Sequence, residues 1–221
     1  MNIIITALFV FLFFSASISR AETLEVRVKN IMTGQIMTPP LIAVGACTSS
    51  VFSLGSAASG GVEKLAEGGL TADLAQWFRG KGWTTVLGSA VYPGKWYVTT
   101  LQVPVIIPPS NLCLFVGGML VPTNDGFYAV QNLRVRSSLA LTIFIPAYDA
   151  GTEFNDERCA HMPAPDACGG QVGEGYNLLK NPLEGLVIFH RGIHGYEDSQ
   201  LDPRVNDFDT RTVGILYLLL R

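Results

Sequence analysis

The chain has 221 residues, 48% of them hydrophobic and 15% charged, with 15 Lys and Arg against 18 Asp and Glu. The positive charges are scattered as on an ordinary solvated surface, with no basic patch to suggest nucleic acid or an anionic membrane. The four cysteines include no Cys-x-x-Cys pair, which argues against a zinc ribbon.

From the start, Ile3 to Ile18 are almost wholly apolar, and Ser19-Arg20-Ala21 place small side chains three and one residues before a cut ahead of Glu22. That is the layout of a secretory signal, although its first residues lack Lys and Arg. The stretch falls short of the roughly 20 residues that span a bilayer. The expected organisation is a signal peptide over 1–21 and one domain over 22–221, with no transmembrane span after cleavage. Two hundred remaining residues suit a single all-β unit, able to bury about 70% of its unfolded surface. Loss of Arg20 takes the net charge from −3 to −4.

Thr23 to Asn30 alternates Leu24, Val26 and Val28 with Glu25, Arg27 and Lys29, the period of a half-buried strand. Thr38-Pro39-Pro40 stops any helix, and Leu41 to Val44 reads as a second short strand. Between Gly61 and Phe78, apolar residues recur at helical spacing around Gly68-Gly69. Two short helices are expected there, near residues 61–79, the second capped by Thr71 with Asp73 in its first turn. Strands follow over Trp83 to Val91, Lys95 to Ile107, Leu112 to Val121, Phe127 to Val135, Leu139 to Ile145, Gly185 to His190 and Thr212 to Leu220. Turn formers such as Tyr92-Pro93-Gly94 and Thr123-Asn124-Asp125-Gly126 separate several of them. About eight strands at this spacing predict an all-β antiparallel sandwich. Ala147 to Asn181 shows no periodicity and is longer than an ordinary connection, a length typical of functional loops.

The even cysteine count in an exported chain favours disulfides, with three pairings open. Cys159 and Cys168 flank a Pro- and Gly-containing loop, so local closure is the simplest choice. Cys47 with Cys113 then follows by elimination, and requires their strands to be neighbours. For chemistry, Asp149-Ala150-Gly151-Thr152-Glu153 sets two carboxylates four residues apart around a glycine that lets the backbone fold sharply. Calcium, a hard ion wanting six to eight oxygens, takes such donors. The run is not an EF-hand, because Gly151 stands where a ligand belongs and Phe154 replaces the invariant glycine. His161, His190 and His194 form a second candidate metal set, the ligands of a metal-dependent hydrolase or oxidase. The alternative is that they hydrogen-bond loop backbone. No His-Glu-x-x-His or Gly-x-Ser-x-Gly motif is present. Glu197, Asp198, Asp202, Asp207 and Asp209 read as a solvated acidic face.

Several segments, in order, resemble the spondin N-terminal domain family, especially its bacterial members. They are Ile36-Met37-Thr38-Pro39-Pro40-Leu41, Thr123-Asn124-Asp125-Gly126-Phe127, Pro146 through Glu153, Cys159-Ala160-His161 and His190-Arg191-Gly192-Ile193-His194-Gly195. The resemblance covers essentially all of the chain from residue 24. It implies a C2-like β-sandwich with one calcium ion at the loop end, held by Asp125, Asp149 and Glu153. Glu153 departs from the family's Asp by one methylene. The function this implies is a secreted calcium-binding module for adhesion or for binding a ligand or protein at the cell envelope or outside the cell, rather than an enzyme. The resemblance names no partner, and contact with a membrane surface stays open because fold does not fix function.

Overall fold

A computed structural model describes residues 22–47, 50–104, 107–135, 140–163, 166–171, 173–176, 185–195 and 198–221. The predicted signal segment 1–21 and Glu197 of the acidic stretch lie outside the described residues.

The described residues fold as two antiparallel sheets packed face to face, with three short α-helices among them. One sheet has four strands in the order β5-β1-β11-β8: β5 (Trp96–Gln102), β1 (Thr23–Asn30), β11 (Gly214–Leu220) and β8 (Leu141–Ile145). The other runs β10 (Ile188–Phe189), β9 (Ala147–Asp149), β7 (Gly126–Arg134), β6 (Leu112–Val121), β3 (Leu41–Ala46) and β4 (Thr84–Leu87), with β2 (Ile36–Met37) pairing on β6. Leu24, Val26 and Val28 of β1 face Ile42, Val44, Leu114 and Val116 of the second sheet in one sealed core. A second core lies on that sheet's far side, where Leu41, Ala43, Phe115 and Phe127 meet α1 (Gly60–Gly68) and α2 (Ala72–Gly80). β3 and β6 are therefore buried on both faces, which is why their sequences are apolar runs rather than alternations.

Ser59 caps α1, its side chain accepting from the Val62 N–H, and Gly69 ends the helix in the left-handed region at φ +65°. Thr71 stands at the N-cap of α2 as predicted but makes no side-chain cap bond, because its backbone is already helical at φ −97° and ψ −6°. Three further differences from the sequence reading are short elements: β2, β9 and α3 (Pro203–Asn206). β9 lies inside the stretch that showed no periodicity, since three residues are too few for a period to appear.

Both disulfides have the predicted pairing. Cys47 follows β3 and meets Cys113 on β6, where β3 and β6 are neighbours, with Cα atoms 4.9 Å apart. Cys159 and Cys168 close the local loop at 5.6 Å. Among the described residues no helix is long and apolar enough to cross a membrane.

The two bridges close loops of different length, 66 against 9 residues of sequence separation. Loop-closure entropy then gives about 4 kcal/mol for the longer and about 2.5 for the shorter. A Cys47→Ala/Cys113→Ala chain is expected to melt several degrees below a Cys159→Ala/Cys168→Ala chain, at about 2–4 °C per kcal/mol. Calorimetry of the two double variants checks the order.

Candidate functional site

The two aspartates of the predicted calcium set meet at one end of the second sheet. The β6–β7 turn carries Thr123, whose hydroxyl donates to the Leu120 carbonyl and accepts from the Gly126 N–H, holding Asp125 at the start of β7. β9 pairs antiparallel with β7 so that Gly126 lies opposite Asp149. The Ala150 N–H donates to the Asp125 carbonyl, which closes the corner. Gly126 is required here, because a Cβ would stand 2.6 Å from the Thr123 hydroxyl and 2.9 Å from the His190 ring. Gly151 is required too. It sits at φ +67°, and a Cβ would fall 2.4 Å from the Leu186 carbonyl oxygen.

The carboxylates are sealed: Asp125, Asp149 and Glu153 are 0%, 1% and 4% exposed. Asp125 Oδ2 accepts three hydrogen bonds, from the Thr152 N–H at 2.7 Å, the Thr152 hydroxyl at 3.2 Å and the Glu153 N–H at 3.0 Å. Asp125 Oδ1 is buried with no partner. Burial, and next the Asp149 carboxylate, push the Asp125 pKa up to about 8, against the pull of those three donors. Asp149 Oδ1 accepts from the Gly151 N–H at 2.7 Å, and its Oδ2 from the Asn155 amide at 2.5 Å. Glu153 enters the site through its backbone N–H. Asn155 also lines a cavity of about 130 Å³ that His190, Gly192 and Glu157 share.

Of the residues that frame this corner, sequence reasoning named Asn124 and His161 and missed Asp156 and Glu157. Asn124 accepts from the Glu157 N–H through its side-chain oxygen and donates from its amide to Asp156, which lies 2.5 Å from His161 Nδ1. Glu157, in the left-handed region at φ +56°, is the hub of the other side. Its carboxylate accepts from the His194 N–H at 2.7 Å, the Gly195 N–H at 2.8 Å and the Ser199 hydroxyl at 2.6 Å, tying the segment after β10 to the Asp125 loop. Asp156 and Glu157 lie three and four residues beyond the recognised motif, and their acidity so close to it was the available signal.

The histidines take individual backbone and carboxylate partners. His190 Nδ1 accepts from the Gly192 N–H at 2.9 Å. A neutral ring with its lone pair committed at Nδ1 carries its proton on Nε2, so Nε2 has no lone pair for a metal. Burial, and next the charge of His194, lower the His190 pKa to about 4. Among the described residues no three His, Cys, Asp or Glu side chains form a group able to hold a metal ion on their own. Any cation at the aspartate corner would therefore draw on amide or backbone oxygens as well.

In comparisons with known proteins, no family model matches this chain and no curated protein matches it.

The lowered pKa of His190 has a stability consequence. The unfolded imidazole protonates near 6.5 while the buried one stays neutral to about 4, so stability is complete above pH 6.5 and is lost as pH falls through that window. The loss is on the order of 3 kcal/mol at 1.36 kcal/mol per unit. Denaturant unfolding of wild type and His190→Gln from pH 7 to pH 4 measures it. The gap between the two chains is expected to narrow as the medium acidifies.

Proposed function

We propose that this chain is a calcium-binding β-sandwich module of the spondin type, exported from the cell, which works by binding a ligand or protein at the envelope or outside it, as in adhesion. The observation that carries the reading is the buried Asp125–Asp149 pair with its unpartnered Oδ1. A buried polar atom without a partner costs free energy, and two adjacent carboxylates cannot both ionise there without a cation, in whose absence they retain a proton. The donors are hard oxygens on two loops, the chemistry calcium selects. Asp125 and Asp149 would supply charge and Glu153 a further oxygen, while the Asn155 amide, which presents its NH2 group to Asp149, would hold that carboxylate in place. When bound, the ion supplies positive charge that replaces the proton on Asp125 and clamps the β6–β7 turn to the loop after β9. Two disulfides support export, because such bonds persist in oxidising compartments. A catalytic three-histidine metal site finds no support in the His190 tautomer.

Thermal melts test the reading. Calcium at a hundredfold excess over Kd adds about 2.7 kcal/mol to the folded state, or roughly 5–10 °C for a domain of this size. Asp125→Asn and Asp149→Asn should each abolish most of that rise, since each removes a charge and keeps the shape. Glu153→Gln should reduce it less. Equal melting of wild type in calcium and in chelator would remove the proposal.

A further inference from the structure

The outer face of the four-stranded sheet departs from the pattern of a solvated surface. An antiparallel sheet with one wet side reads apolar inward and polar outward. In β11, Leu216, Leu218 and Leu220 point into the core, yet the alternate positions are Ile215, Tyr217 and Leu219. The neighbouring strands add Trp96, Val98 and Phe144, exposed by 48%, 54% and 62%. Register lines these up across the sheet: Trp96 lies opposite Lys29, Lys29 opposite Ile215, and Ile215 opposite Phe144. The next row runs Val98, Arg27, Tyr217 and Thr142. At about 4.8 Å per strand each row is roughly 14 Å long.

Cations are threaded through these rows. The Arg27 guanidinium lies 5.2 Å from the Tyr217 ring centre, and the Lys29 ammonium 5.4 Å from that of Trp96. Glu25 is the acid among them, paired with both Arg27 and Arg221. Three cationic side chains less one carboxylate leave the side chains of this face at +2, on a chain whose total is −3. Arg221 is remote in sequence from Arg27 and Lys29, so the scatter read there hides a cluster that the sheet assembles.

We propose that this face docks on an anionic lipid surface. Trp and Tyr rings and long basic side chains share an apolar body and a polar tip, the combination that settles at the boundary between headgroups and acyl chains. Such binding grows with apolar area and with attraction to anionic lipid, and this face offers both on a flat sheet. A second copy of the chain would set the same cations against each other. The proposal is independent of the calcium reading, since the aspartate corner belongs to the other sheet.

The test is co-sedimentation of the purified chain, in chelator, with vesicles of phosphatidylglycerol and phosphatidylcholine in equal parts, and with phosphatidylcholine alone. Wild type is expected to favour the anionic vesicles, and less so as salt rises. Arg27→Gln/Lys29→Gln is expected to lose about thirtyfold in partitioning, the effect of two cations near an anionic surface. Trp96→Ser/Phe144→Ser should lose at least tenfold, and its two positions are exposed enough to leave melting temperature nearly unchanged. Comparison with wild type cancels any contribution of the apolar N-terminal segment. Failure of wild type to sediment, or undiminished sedimentation of either double variant, overturns the proposal. Binding of a polyglutamate peptide in place of vesicles overturns it in favour of an acidic protein partner.

Discussion

Two carboxylates in a sealed corner repel each other, at about 1–4 kcal/mol for a close pair in water-like to surface dielectrics. The Asp125–Asp149 pair holds that position because the β7–β9 register leaves it no other, with Gly126 opposite Asp149 and the Asp125 carbonyl bound by Ala150. The surrounding loops are organised around this tension. Thr152 and Glu153 turn their N–H groups onto one Asp125 oxygen, and Gly151 folds back to give Asp149 another. Beyond them, Asn124 and Glu157 join the segment after β9 to the segment after β10. Asp125 Oδ2, both Asp149 oxygens, the Asn124 amide and both Glu157 oxygens thus have partners, and Asp125 Oδ1 is left open.

The fold was legible where a strand is long and has one environment. β1 showed a strict alternation because one face meets the core and the other carries Glu25, Arg27 and Lys29. β6 was legible as a run because both of its faces are covered. Shorter or non-local elements were not. β4 keeps four residues of a predicted nine-residue strand and β10 two of a predicted six, while β9, which was not predicted, acquires strand geometry only through long-range pairing. The same limit applied to the site. Asp125 and Asp149 could be picked out by family resemblance, and the structure does bring them together. Glu157 could not be, because its role depends on a left-handed backbone unusual for a non-glycine residue and on partners some forty residues later.

The two sheets divide the surface chemistry. The seven-stranded sheet ends in acidic loops that would gather a cation, while the four-stranded sheet presents rings and basic groups on its outer face. In the proposed reading the two faces are separate, one for a divalent ion and one for a surface of negative charge.

The central claim is that a cation occupies the Asp125–Asp149 corner, and equilibrium dialysis of the metal-free chain against radioactive calcium tests it most directly. The account predicts one bound ion per chain, released on acidification as the aspartates take up protons, and absent from Asp125→Asn. A wild-type chain that retains no calcium at millimolar concentration contradicts the account. So does one whose bound ion is unaffected by Asp125→Asn.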